Sequence, residues 1–291
     1  MELPRILIIG RIGQVGWELR RTLGAMGDLV CVDYPEIDLT NGDSIRKWVR
    51  DTAPKVIINA AAYTAVDKAE TETERCQQIN GVAPGILAEE TKKLSGLLVH
   101  YSTDYIFDGT KSSPYVEDDP PNPLGAYGRA KLAGDEAVRQ VGGHHLLFRL
   151  CWVYGARGQN FMLTMMRLAR EREKLRVVRD QFGCPTWSRM IAEATALALR
   201  QVLVEGDLGA FNGTYHLAAS GHTSWHGFAE AIVGQMAEKK CQVVEAIATS
   251  EYPTPARRPA YSVLSSEKLR KTFGLQLPGW RESLAQVMEE R

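Results

Sequence analysis

The chain has 291 residues, enough to bury one large core or two closely joined lobes. Its 35 Lys and Arg balance 35 Asp and Glu, so no global field draws it to nucleic acid or to an acidic membrane surface. Hydrophobic residues make up 44% and charged residues 24%, the balance of an ordinary globular chain, and no apolar run approaches the ~18 residues of a membrane span.

Met1 to Arg5 leads straight into a predicted strand, Ile6 to Ile9, with no room for a signal peptide. A helix is expected over Val15 to Leu23, then strands at Leu29 to Val32 and Val56 to Asn59. A long helix is expected within Thr73 to Leu94 and a fourth strand at Leu97 to Tyr101. A helix over Tyr127 to Gln140 and a strand at His145 to Leu150 follow. Continuous apolar strands alternating with helices predict an α/β fold, a doubly wound parallel sheet of Rossmann type covered on both faces. From about residue 151 the pattern loosens. Helices are expected at Phe161 to Arg172, Arg189 to Val204, Ser224 to Ala237 and Ser266 to Thr272, with turn-rich stretches at Gly206 to Gly213 and Tyr252 to Pro259. The reading is a dinucleotide-binding domain over 1–150 and, mainly, a smaller substrate lobe over 151–291, with a soft boundary that the chain can cross again.

The five cysteines are odd in number, scattered, and form no Cys-x-x-Cys pair, so reduced, packed thiols in a cytoplasmic protein are expected. Met162, Met165 and Met166 at helical spacing read as core. His144 and His145 lack an acidic partner at metal spacing and read as structural.

The first glycine cluster carries chemistry. Gly10, Gly13 and Gly16, with Arg11, Gln14 and Val15 between them, link the first strand to the first helix. Glycines let the backbone approach a pyrophosphate, and the helix N-terminus presents free N–H groups to it. Asp33 ends the second strand about 20 residues on, placed to accept from adenosine ribose hydroxyls and to repel a 2′-phosphate. Arg11 pulls the other way, since a guanidinium pairs well with that phosphate. NADH and NADPH therefore both stay open as cofactors. Asp38 and Leu39 are expected beside the adenine. Ala60, Ala61 and Ala62, with Tyr63 and Thr64 after them, are expected along the dinucleotide.

Thr103, Tyr127 and Lys131 form the second cluster. Tyr127 and Lys131 share one face of a helix, and Thr103 closes the preceding strand. The trio suits proton delivery to a carbonyl as a hydride arrives. A Tyr has an unperturbed pKa near 10, and an ammonium ~4 Å away favours the phenolate by up to about 4 kcal/mol at an effective dielectric of 20. A depressed Tyr127 pKa is therefore expected.

With the glycine loop, Asn59-Ala60-Ala61-Ala62, Ser102-Thr103-Asp104-Tyr105 and Tyr127-Gly128-Arg129-Ala130-Lys131 in hand, the chain resembles the extended short-chain dehydrogenase/reductases. More narrowly it is similar to the dTDP-4-dehydrorhamnose reductase family, over essentially its whole length. Gly13 to Leu19, Ala65 to Glu70, Val99 to Tyr105, Asp180 to Gly183 and Tyr252 to Pro259 carry that likeness. The resemblance implies NAD(P)H-dependent reduction of the C4 keto group of a nucleotide-linked sugar, in the supply of sugars for cell-surface polysaccharide. Tyr127 is then the proton donor, assisted by Lys131 and Thr103. Matching positions place Val66, Thr103, Asp104, Tyr105 and Trp152 near the sugar, and Arg257 or Arg258 near the nucleotide diphosphate.

Two rivals remain at this stage. Related 4,6-dehydratases and epimerases share the fold, but the dehydratases carry an Asp-Glu pair after the Thr, where this chain has Asp104-Tyr105. A relative of the fold serves as a non-catalytic regulatory subunit of methionine adenosyltransferase. Some family reductases are described as dimers bridged by Mg²⁺ through glutamates. Glu18 matches one such position, but Arg189 stands at the second, so no metal is expected. Arg189 is expected either to pair with Glu18 of a partner subunit or to lie exposed on a monomer.

Overall fold

The protein is described here by a computed structural model covering residues 3–290. Met1, Glu2 and Arg291, which open and close the two expected domain ranges, lie outside the described residues.

The first half alternates strand and helix in the expected order. Strand β1 (Arg5–Ile9) leads to α1 (Gln14–Thr22), β2 (Asp28–Val32), α2 (Gly42–Thr52) and β3 (Val56–Asn59). Helices α3 (Thr73–Gln77) and α4 (Ala83–Lys93) precede β4 (Leu97–Thr103), α5 (Ala126–Val141) and β5 (His144–Leu150). The second half holds β6 (Val153–Tyr154), α6 (Phe161–Glu171), β7 (Lys174–Val178), β8 (Phe182–Gly183) and β9 (Thr186–Trp187). Helix α7 (Ser188–Glu205), β10 (Gly213–His216), β11 (Thr223–Ser224), α8 (Trp225–Gln235), β12 (Val243–Ile247), α9 (Glu267–Phe273) and α10 (Trp280–Glu289) complete it.

Six parallel strands form the central sheet in the order β10-β5-β4-β3-β1-β2. The doubly wound fold is therefore as expected. The inner strands are apolar on both faces because helices cover both. One face buries Ile6, Ile8, Val56, Ile58, Val99 and Phe148 with α1 and α7. The other buries Leu7, Ile9, Ile57 and Leu98 with α2 and α4. The chain reverses direction across the sheet between β1 and β3, which opens a crevice at their carboxyl ends.

Several elements depart from the sequence reading. Helix α2 was not anticipated, although Asn41 caps it by accepting from the Asp43 and Ser44 N–H groups, and Ile45 and Val49 face inward one turn apart. The single helix expected over Thr73 to Leu94 is broken by a π turn at Gln78–Val82. The extra residue turns Asn80 inward, where it accepts from Tyr63 N at 2.9 Å and donates to Tyr63 O at 2.8 Å. The chain after residue 150 returns to the central sheet as α7, as β10 and as α9. Strand β10 lies directly after a stretch read as turns, and its four residues are too few to show a period. The parallel pair of β7 with β12 and helix α10 were also missed.

A second core lies beyond the sheet, where Met162, Met165, Met166, Phe228, Ile232, Trp280 and Leu284 pack together. The three methionines are core residues, as their spacing predicts. All five cysteines are free thiols, and only Cys31 is less than fully buried. His145 holds the Gly143 carbonyl at 2.9 Å, a structural role.

Candidate functional site

The carboxyl ends of β1, β3, β4 and β5 bring the sequence motifs to one edge of the sheet. Ile9 of β1 is in register with Asn59 of β3, and Thr103 of β4 with Leu150 of β5. Gly10, Ala60, Asp104 and Cys151 therefore emerge side by side.

Gly10 has φ +93°, and a Cβ there would stand 2.6 Å from the Ala61 nitrogen. A Cβ on Gly16 would stand 2.0 Å from the Gly10 oxygen. Only glycines permit this close turn of loop, strand and helix. Gly13 caps α1 without a side chain, so the first-turn N–H groups of Gln14, Val15 and Gly16 have no side-chain acceptor. Gln14 is tied to the second half of the chain, since Asn160 donates Nδ2 to its Oε1 at 2.9 Å.

Beside the loop lies a cavity of about 480 Å³ lined by Ile9, Asp33, Asp38, Leu39, Ala61 and Ala62, among others. Its walls are apolar where a flat base fits and acidic at the rim, and its place at the β1/β3 reversal is where such folds hold a dinucleotide. Asp33 Oδ2 accepts from Ile12 N at 3.0 Å, which couples the acid to the glycine loop. Asp38 turns back on Thr40, whose hydroxyl holds its carboxyl below the usual range. Arg11 does not hang in solvent. Its guanidinium forks onto Glu36 at 2.6 and 3.0 Å and also donates to the Cys31 carbonyl at 2.9 Å. Glu36 was missed from sequence, although an acid three residues after Asp33 was the available signal. Tyr63 is held by Asn80 and by Glu72, whose carboxylate accepts from its hydroxyl at 3.0 Å; Thr64 is exposed.

Tyr127 and Lys131 sit one turn apart on α5. Gly125 caps that helix without a side chain, and Glu70 supplies the missing acceptor, taking the Ala126 N–H at 2.7 Å. This contact fixes the turn that carries Tyr127. The Tyr127 hydroxyl lies near enough to Thr103 for the threonine hydroxyl to favour the phenolate, and its ring stands edge-on to Tyr105 at 6.0 Å and 83°. The expected depression of its pKa is not found in the free chain. Burial pushes the Tyr127 phenol up, outweighing the Thr103 hydroxyl. Burial also lowers Lys131 to about 8, and its Nζ donates to the Tyr101 carbonyl at 2.5 Å.

Asp104 is buried and pushed up to about 6 by that burial, partly offset by hydrogen bonds from Ser262, Cys151 and Thr103. Thr103 Oγ1 donates to it at 3.1 Å and Cys151 Sγ at 3.2 Å. Tyr105 reaches Arg258, which also grips Asp67 at 2.8 Å. Arg258 is half-buried against these partners, and Arg257 is exposed. Val66 is half-buried in the same loop as Asp67. Trp152 has φ +46° and stacks on Trp225 at 3.5 Å and 6°, while a Cβ on Gly183 would meet its ring at 2.4 Å. The ring is thus packed against both Trp225 and Gly183 and is 9% exposed.

Arg189 has partners within the chain. It pairs with Glu18 of its own chain at 3.3 Å and with Glu290. A guanidinium between two carboxylates offers no ligand to a hard dication and repels one, so this donor set does not suit Mg²⁺.

Compared with known proteins, residues 4–291 match the family described as the RmlD substrate binding domain. The dTDP-4-dehydrorhamnose reductase of Burkholderia thailandensis is 52% identical over 284 residues, spanning 95% of each chain. That of Escherichia coli K12 is 42% identical over 294 residues, spanning 98% of this chain and 97% of its own. The solved dTDP-4-dehydrorhamnose reductase of Bacillus anthracis, in complex with NADP, matches 100% of both chains with a TM-score of 0.91 at 34% identity.

Proposed function

The chain belongs to the RmlD substrate binding domain family, and from that membership we propose that it reduces the C4 keto group of dTDP-4-dehydro-L-rhamnose to give dTDP-L-rhamnose. The observation that carries this reading is the placement of Thr103 at the end of β4, with Tyr127 and Lys131 one turn apart on α5, at the sheet edge that also carries the glycine loop.

The residues present fit a nicotinamide dinucleotide. Gly10 to Gly16 receive its pyrophosphate, Asp33, Asp38 and Leu39 its adenosine, and Ala60 to Thr64, Tyr127 and Lys131 its nicotinamide half. Bound there, reduced NAD(P)H supplies the hydride for C4. Tyr127 supplies the proton to the C4 oxygen. Burial keeps the phenol protonated at neutral pH, which a donor requires. Thr103 fixes the hydroxyl's direction. The Lys131 ammonium steadies the phenolate left behind until solvent returns its proton, since opposite charges at this depth attract strongly. Asp104 orients Thr103. Val66, Tyr105 and Trp152 line the sugar side, and Arg258, beside Arg257, meets the diphosphate.

Residues 151–291 add Trp152, Arg257 and Arg258 to a sugar side that Val66, Thr103, Asp104 and Tyr105 begin, while α7 and β10 belong with the central sheet and its covering layer. Tyr105 occupies the place where an eliminating enzyme needs a carboxylate base, which favours simple reduction. No helix among the described residues is long and apolar enough to cross a membrane, and the reading places the enzyme in the cytoplasm. Arg189 pairs with Glu18 within the chain, and the enzyme acts as a monomer or a homodimer.

The test is turnover of dTDP-4-dehydro-L-rhamnose, made in situ by a dehydratase and an epimerase. Oxidation of NADH or NADPH with formation of dTDP-L-rhamnose, identified by mass and NMR, is expected. Binding of the cofactor without any oxidation would sink the reading and leave a dinucleotide-binding subunit.

A further inference from the structure

Arg11 is the basic side chain of the glycine loop and so the natural partner for an adenosine 2′-phosphate. It is also held within the chain, although its side chain stays partly exposed. Its Nη1 donates to Glu36 Oε2 at 2.6 Å and to the Cys31 carbonyl at 2.9 Å, and its Nη2 to Glu36 Oε1 at 3.0 Å. The fork is bidentate, the geometry in which a guanidinium and a carboxylate bind best.

Glu36 is itself held in place. Its Oε2 accepts from Asp33 N at 3.2 Å, and its backbone carbonyl accepts from the Trp48 indole at 2.6 Å. Arg11 holds the Glu36 carboxyl below the usual range, so the charge persists at any working pH. Asp33 meanwhile accepts from Ile12 N at 3.0 Å, next to Arg11 in the same loop. The two acids and the arginine make one unit at the rim of the adenosine cavity.

We infer that Glu36 is a cofactor-specificity residue: by holding Arg11 in a bidentate pair it withholds that cation from the 2′-phosphate and makes the enzyme favour NADH over NADPH. The inference rests on the cavity beside Asp33 holding the adenosine. Asp33 and Asp38 line that cavity against the single cation Arg75, and the Arg11–Glu36 pair adjoins it through the hydrogen bond from Asp33 N to Glu36. A dianionic 2′-phosphate entering there meets this excess directly. It gains Arg11 only by breaking a preformed pair. Arg75 lines the same cavity, close enough to act on Asp38, and makes no pair with Glu36.

The experiment is kcat/KM for NADH and NADPH in wild type, Glu36→Gln, Arg11→Ala and the double variant. Wild type is expected to favour NADH. Glu36→Gln removes the charge while keeping the shape, and should raise the NADPH/NADH efficiency ratio tenfold or more. In the Arg11→Ala background the same change should move the ratio less than threefold, because the cation it releases is gone. A wild type that favours NADPH, or a ratio unmoved by Glu36→Gln, overturns the inference. A gain that persists without Arg11 also overturns it, by assigning the effect to charge removal or to Arg75. ADP-ribose competition against NADH tests the cavity separately. Failure of ADP-ribose to displace NADH would remove the adenosine assignment and the inference with it. Intact displacement with an unmoved ratio would remove the Glu36 role alone.

Discussion

Tyr127→Phe separates the proton from everything else the side chain does. The ring stays, and its edge-on contact with Tyr105 at 6.0 Å needs no hydroxyl. The contact with the Thr103 hydroxyl is lost. Thr103 is not orphaned by that loss, because its Oγ1 still donates to Asp104 at 3.1 Å and accepts from Tyr105 N at 3.2 Å. The stability cost is therefore at most that of one satisfied hydrogen bond, about 1 kcal/mol. For a chain of this size that lowers Tm by roughly 2–4 °C. The kinetic cost is much larger. Loss of a positioned general acid typically slows turnover 10²–10⁴-fold, or about 2.7–5.5 kcal/mol of barrier.

The assay reads three quantities on the same preparation. NAD(P)H oxidation with dTDP-4-dehydro-L-rhamnose gives kcat, quenching of protein fluorescence gives cofactor affinity, and thermal unfolding gives Tm. A fall in kcat of two orders or more is expected, with affinity within about threefold of wild type. A variant that keeps more than about a tenth of wild-type kcat would show that the acid lies elsewhere. A variant that loses cofactor binding and turnover together would show that the hydroxyl is structural.

Three further outcomes are expected. Lys131 is lowered to about 8 by burial, so its ammonium is present below that pH and lost above it; kcat/KM should decline as pH rises through about 8, and Lys131→Met should show a low rate without that limb. A limb that persists in Lys131→Met would assign it to another group. Asp33→Asn keeps an acceptor for Ile12 N while removing the charge, so the loop should hold and the NADPH/NADH ratio should rise; an unchanged ratio in steady-state kinetics would take Asp33 away from the ribose. Activity and oligomeric state should survive EDTA, because Arg189 already places a cation between Glu18 and Glu290; activity lost to EDTA and restored by Mg²⁺ alone would contradict this.

The fold was legible because its signal is local. Buried parallel strands read as apolar runs, and the glycines of the first turn are demanded by contacts within one strand-turn-helix unit. Helix α2 carried a readable cap in Asn41 and was still passed over, its polar residues masking the buried Ile45 and Val49. Strand β10 was illegible for a different reason. Four residues of strand show no period, and only pairing with β5 in three dimensions identifies them.

The site divides along the same line. Tyr127 and Lys131 are four residues apart, and helical geometry alone puts them on one face. What fixes their position is remote in sequence. Glu70 anchors the start of α5 across 56 residues, and Arg258 joins Asp67 across 191. Neither Asp67 nor Glu70 was marked as part of the catalytic arrangement, because an acid in a loop has no period to announce its partner. The same holds for Arg189. Sequence placed Glu18 and Arg189 near one another but left the chain boundary between them undecided, since 171 residues of separation suit an internal pair as well as an external one. Ion pairs of this kind depend on where the fold brings two charges. The chemistry of a site is thus written in short motifs, whereas its rigidity is written in charges that only the folded chain brings together.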